Sequence, residues 1–240
     1  MSPEKLSAFW VYLQTGPLFW LTLTLAAYAV AHALARRARF HPLVNPVAIA
    51  VALLVAVLSL TGTAYARYFE GAQFVHFLLG PATVALAVPL WRHRDAVRRA
   101  LVPMALALLV GATTAVSSAV AIAWALGASR ATMASIAPKS VTTPIAMAVA
   151  ERLGGLPSLT AVLVIATGIL GAMTAGPLLD LLRVREPRAR GFAIGLAAHG
   201  IGTARAFQEN QLAGTMAGIA MATNGVVTAL LAPLLLAWLR

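Results

Sequence analysis

The sequence predicts an all-α integral membrane protein, a polytopic bundle of about seven to eight helical elements in which two segments are proline-broken or re-entrant. Three observations carry this expectation. Of 240 residues, 60% are hydrophobic and only 10% charged, whereas soluble domains carry roughly a quarter charged residues; the mean hydropathy is +0.85. Apolar runs of spanning length, ~20 residues, recur along the chain. The basic residues gather between those runs rather than on them.

The runs lie at 17–35, 44–62, 101–127, 158–182 and 211–239, with weaker or interrupted segments at 73–91, 132–150 and 191–207. Short connections predict one integrated transmembrane domain over 1–240, with no soluble appendage. The early charges, Glu4 and Lys5, precede an apolar run followed by arginines, so the N-terminus reads as an anchor helix that stays. Trp10, Trp20, Trp91 and Trp238 fall near predicted helix ends, where interfacial anchors sit.

A net charge of +11 would suit a polyanion-binding surface, but its placement points elsewhere. Eleven of the eighteen basic residues form three clusters: Arg36, Arg37, Arg39; Arg92, Arg94, Arg98, Arg99; and Arg183, Arg185, Arg188, Arg190. Such loops are retained on the cytoplasmic side, so the expected surroundings are a lipid bilayer and not nucleic acid. Three segments separate the second cluster from the third. Three full crossings would put the clusters on opposite sides, so either one segment fails to cross or the charge rule does. The natural candidate is 132–150, because each proline removes a helical hydrogen bond. A 57-residue slide pairs Pro81 with Pro138 and Thr83 with Ser140, the mark of an internal, inverted repeat.

Residues 134–150, ASIAPKSVTTPIAMAVA, carry the chemistry. Lys139 is one of two lysines in the chain and lies between Pro138 and Pro144 with Ser140, Thr142 and Thr143. A charge and several hydroxyls at membrane depth need partners, and non-helical backbone survives there only where it lines a cavity. The expected occupant is a small carboxylate, countered by Lys139 and held by the hydroxyls and freed N–H groups; the bland alternative is a snorkelling lysine. A second constellation is HGIGTAR, residues 199–205. Here His199 could relay a proton, Thr203 and Arg205 could bind a carboxylate, and Gly200 and Gly202 allow positive φ or close approach. Glu209 alternatively pairs with Arg205 along the helix. Asn224 and Thr228 share a face of the last long helix, as ligands or as interhelical hydrogen bonds. Thr83 and Asn45 are weaker candidates. Gly168, Ala172 and Gly176 read as a packing face.

No metalloprotease helix, nucleophile elbow, P-loop or dinucleotide fingerprint occurs, so no enzyme, cofactor or metal site is expected. The absence of cysteine removes thiolate chemistry.

These residues resemble a known family. SIAPKSVTTPIAMAVAERLGG, AHGIGTARAFQE and NGVVTALLAP, with LGPATVALAVPLW at 79–91, are similar to the LrgB/CidB membrane proteins over essentially the whole chain. The resemblance implies two functions. One is a carrier of small monocarboxylates of the pyruvate, glycolate, glycerate or lactate class, as in relatives including the plastid glycolate/glycerate transporter. The other is a holin/antiholin-like regulator of murein hydrolases and autolysis with no transported substrate. It also implies a multi-pass location in the bacterial inner membrane and a small LrgA/CidA-like membrane partner, and leaves a homo-oligomer open.

Overall fold

Helix starts in the computed structural model fall where proline can open a helix at no cost, its missing N–H being unpaired there anyway. Pro17, Pro46, Pro144, Pro157 and Pro187 all occupy first turns. The structure describes residues 16–85 and 87–237, except for the side chains of His76, Leu79 and Thr83. It divides into two compact units, residues 1–85 and 86–240.

The first unit holds α1 (Pro17–Arg37), α2 (Pro46–Thr61), α3 (Tyr65–Phe77) and α4 (Leu79–Ala85). Asn45 caps α2, its side-chain oxygen accepting from Val47 N at 2.9 Å and Ala48 N at 3.1 Å. That local duty accounts for a residue the sequence offered as a binding candidate. At 16 residues, α2 is shorter than the expected span over 44–62. Trp20 is not an interfacial anchor: it is 1% exposed and packs edge-on against Tyr68 at 6.0 Å. Trp91, by contrast, is exposed, with the Arg94 guanidinium 4.8 Å over its ring. Trp10 and Trp238 lie outside the described residues.

The second unit contains α5 (Ala87–Arg92), α6 (Arg94–Ala125), α7 (Arg130–Ile136), α8 (Thr143–Arg152), α9 (Pro157–Leu181), α10 (Pro187–Glu209) and α11 (Gln211–Ala237). α1, α6, α9 and α11 are long and apolar enough to cross a membrane, as is the stretch Tyr65–Arg92.

Packing fixes the direction of each spanning helix in this unit. Val97 and Met104 of α6 pack with Phe192 of α10 and Met216 of α11. Leu179, near the end of α9, packs with Ala213 and Ala217 at the start of α11. Val120 and Ala123 of α6 instead meet Ala232 and Leu236 at the end of α11, together with Ala134 and Val149. So α6 and α11 run away from the end that carries the arginine clusters at 92–99 and 183–190, and α9 runs back to it.

Two elements therefore fail to cross. α7 and α8 leave from the end opposite the arginine clusters, where Arg130 and Arg152 stand, and return there. Their helices are separated by the turn through Pro138 and Lys139, and Leu156 N donates to Ser135 Oγ at 2.8 Å, holding the base together. This is the segment singled out by the charge pattern. The second, α10, enters from the basic end. It breaks at Ala198 (φ −121°, ψ 15°) and His199 (φ 39°, ψ −132°), and its second arm folds back along its first. A Cβ on Gly202 would lie 2.9 Å from Ile194 O, two helical turns earlier in sequence. Gly191 and Gly195 let the first arm press directly on the backbone of Ala213 and Ala217, leaving no room for a side chain. The two re-entrant elements start at Arg130 and Pro187, a spacing of 57 residues, and enter from opposite ends. Each follows a spanning helix that runs toward its point of entry, so the two hairpins are inverted relative to each other. They are a different pair from the Pro81 and Pro138 segments that the sequence aligns, the first of which lies in the stretch Tyr65–Arg92, long enough to cross.

Candidate functional site at the meeting of two helix breaks

Asn224 joins the tips of the two re-entrant elements. Its side-chain amide is fully buried, and it donates to Ser140 O at 3.2 Å and to Leu196 O at 3.1 Å. Its oxygen accepts from Thr228 Oγ1 at 3.1 Å. Asn224 stands thirteen residues into the 27-residue α11, about 20 Å along a helix of about 40 Å. The tips thus meet near mid-depth. Both N–H donors of Asn224 are spent, so it positions the tips rather than offering hydrogen bonds to a ligand.

At the first tip, Lys139 is half-buried and its ammonium donates to Ser140 Oγ at 3.2 Å. Among the described residues it has no carboxylate partner. An ammonium has three donors, so two remain for something else. The hydroxyls of Thr142 and Thr143, half-buried at the start of α8, make no hydrogen bond among the described residues. Val141 is fully buried against Ala146 and Val164, which fixes the turn against α9.

At the second tip, His199 is 5% exposed, and its Nε2 lies 2.9 Å from Val164 O. A carbonyl only accepts, so Nε2 carries a proton and donates to it. Thr203 Oγ1 donates to His199 O at 2.8 Å, closing the break from below. The positive φ belongs to His199 itself; Gly200 and Gly202 have negative φ, and Gly202 serves the close approach of the two arms. Gly168 does more than pack helices: a Cβ there would lie 2.6 Å from His199 Cε1.

The electrostatics of this arrangement favour an anion. A helix N-terminus presents unpaired N–H groups and about half a positive charge. The N-termini of α8 and of the returning arm of α10 both begin at the tips, the first of them four residues after Lys139. The opposing carbonyl ends are partly neutralised by Asn224. A carboxylate is the kind of group such a site accepts.

The structure brings together Lys139, Ser140, Thr142, Thr143, His199, Thr203 and Asn224. It engages Arg205 elsewhere. Arg205 Nε lies 3.4 Å from Glu209, and Arg190 reaches Asp180 at 2.6 Å and Glu209 at 3.5 Å, an ion network at the base of the α10 hairpin. The helical pairing offered as the alternative for Arg205 is the one observed. The Thr83 side chain lies outside the described residues, and its backbone belongs to the first unit. The main-chain carbonyls of Val164 and Leu196 were not foreseen, since nothing in a sequence marks a backbone oxygen as a tertiary partner. Ser135, which ties the base of the first hairpin, was also missed. No group of three or more His, Cys, Asp or Glu able to hold a metal occurs among the described residues.

Comparison with known proteins agrees with the architecture's membrane character. The model of the LrgB-like family matches residues 24–238. YxaC of Bacillus subtilis is 36% identical over 91% of this chain and 94% of its own length, and YwbG of the same organism is 36% identical over 81% and 87%. A Bacillus cereus protein named antiholin-like protein LrgB is 30% identical over 91% of this chain and 95% of its own length. No solved structure matches the chain.

Proposed function

This chain belongs to the LrgB-like family, and on that premise we propose that it is a secondary carrier of small monocarboxylates, binding the anion between its two re-entrant tips. The observation that carries the reading is Lys139: a half-buried ammonium without a carboxylate partner among the described residues, set at a helix break and flanked by uncommitted hydroxyls. Opposed broken elements meeting at mid-depth are where secondary transporters hold substrate. Pyruvate, glycolate, glycerate and lactate fit the charge and the hydroxyl donors. Transport would proceed by alternate release of the α7–α8 and α10 hairpins, with a small LrgA/CidA-type membrane protein as partner.

A second reading is favoured by the names of the relatives. The Bacillus cereus relatives are called antiholin-like, and the comparisons support a regulator of that kind further than they support any particular carboxylate. An antiholin-like regulator needs helices that assemble in the membrane. It has no use for an unpaired cation at a helix break, and that difference separates the two. Uptake of radiolabelled pyruvate and glycolate into proteoliposomes, with this chain alone and with its small partner, tests the proposal. Saturable uptake in either preparation supports the carrier; folded protein with none in both leaves the antiholin-like reading.

A further inference from the structure

The second unit carries a cavity unrelated to the re-entrant tips. It is a trough of about 620 Å³ between α6 and the first arm of α10, floored by Met216 of α11. Its size falls within the range of ligand pockets. On α6 the lining runs from Arg99 through Pro103 and Ala107 to Gly111, about 18 Å of helix; on α10 it runs from Arg188 to Leu196, about 12 Å. The two helices leave the basic end side by side. The trough is therefore charged only at its mouth and apolar along its length.

The mouth is unevenly satisfied. Arg188 Nε donates to Glu186 at 2.6 Å, so these two largely cancel. Arg99 is exposed and makes no hydrogen bond or ion pair among the described residues. Arg98 is exposed beside it, and Arg183 and Arg185 are exposed on the facing loop. The result is one guanidinium, that of Arg99, unpaired among the described residues at the mouth of an apolar trough, with further exposed arginines on the adjoining helix turn and loop. By the positive-inside rule this end faces the cytoplasm, where the leaflet is anionic, and basic pockets between spanning helices on that side take anionic headgroups.

We propose that this trough is a binding site for an anionic phospholipid, with its phosphate on Arg99 and the neighbouring guanidiniums and one acyl chain laid along Pro103, Ala107, Phe192 and Leu196. The charge at the mouth selects the headgroup, and the apolar length excludes a free polar anion from the interior. This site is independent of the carrier proposal, since none of the residues at the tips enters it except Leu196, through its side chain.

The test uses the purified full chain in detergent, with phosphatidylglycerol and phosphatidylcholine of identical acyl chains, read by native mass spectrometry and thermal unfolding. The proposal expects retention of phosphatidylglycerol over phosphatidylcholine, and a roughly fivefold weaker preference in Arg99→Gln, the value of one basic residue near a headgroup. Ala193→Trp, at an exposed position on the trough wall, should block retention while the protein elutes as a single folded species; Ala107→Phe is the alternative if that variant misfolds. Equal retention of the two lipids overturns the proposal. So does an unchanged preference in Arg99→Gln, or full displacement by glycerol phosphate, which would mark a site for a free phosphate. Displacement of the lipid by a co-purifying membrane protein on the same wall would assign the trough to a partner helix instead and equally overturn it.

Discussion

Arg190 and Glu209 lie nineteen residues apart in α10, yet their side chains approach to 3.5 Å. A continuous helix would separate them by about 28 Å. Their contact defines α10 as a hairpin, and it closes the base whose tip is His199. Arg190 also holds Asp180 and donates to Val184 O at 3.0 Å, so one guanidinium ties α9, the loop and both arms together. Arg190→Gln should cost about 2 kcal/mol, as for charged hydrogen bonds only partly screened from water. Glu209→Gln should be non-additive with it in a double-mutant cycle of detergent unfolding. Full additivity would mean that the pair carries no coupling.

The two hairpins make a firm statement about sidedness. The chain has no cysteine, so single cysteines can be introduced without background labelling. Arg94→Cys and Arg183→Cys should react with a membrane-impermeant maleimide from one side. Leu126→Cys and Glu151→Cys, both at exposed positions, should react from the other. Labelling of Arg94→Cys and Arg183→Cys from opposite sides would show that 130–152 crosses completely.

Asn224 holds two carbonyls that belong to different re-entrant elements. Asn224→Ala strands Ser140 O and Leu196 O in a buried place, and each lost partner costs about 1–3 kcal/mol. A stability loss of roughly 2–4 kcal/mol is expected, measured by thermal unfolding in detergent. A loss under ~0.5 kcal/mol, the size expected of an ordinary surface substitution, would deny the bridge.

Gly168 and Gly200 should behave oppositely. A Cβ at Gly168 meets His199 Cε1 at 2.6 Å, while one at Gly200 finds only Met221 Sδ at 3.7 Å. Gly168→Ala should destabilise by about 1–3 kcal/mol through overpacking and displace the imidazole from Val164 O. Gly200→Ala should be close to neutral or slightly stabilising. Histidine NMR signals of the two variants distinguish the cases, with the His199 resonance moving only in Gly168→Ala.

Much of this architecture was legible because it rests on rules written into single residues. Pro138 and Pro144 break the helix where they stand, and the clusters around Arg94 and Arg188 favour one segment that turns back. The second reversal was visible only as an oddity. No proline marks it; His199 adopts a positive φ that Val164 O and the glycine-lined approach of neighbouring helices make tolerable. Gly200 and Gly202 flagged the place without saying which residue would bend. Trp20 departs from the interfacial pattern because an aromatic near a helix end packs equally well against another helix, here against Tyr68. Arg205 looked like a carboxylate binder, but its carboxylate is Glu209, four residues on. The sequence aligns Pro81 with Pro138, but Pro81 stands in α4 of the first unit, whereas the inverted hairpins start at Arg130 and Pro187. The polar bridge at Asn224 depends on residues 28 and 84 positions away, a distance over which sequence pattern carries no register.

The central claim is that the Lys139 ammonium holds a carboxylate, and direct binding tests it. Equilibrium binding of radiolabelled pyruvate to the purified chain, with and without its small partner, would be compared with that of Lys139→Ala and Lys139→Arg. The account predicts saturable binding to the native protein that unlabelled glycolate competes away. Lys139→Ala should lose about tenfold or more, the worth of one charge-assisted hydrogen bond, and Lys139→Arg should keep part of it. Binding that is unchanged in a folded Lys139→Ala protein would contradict the account.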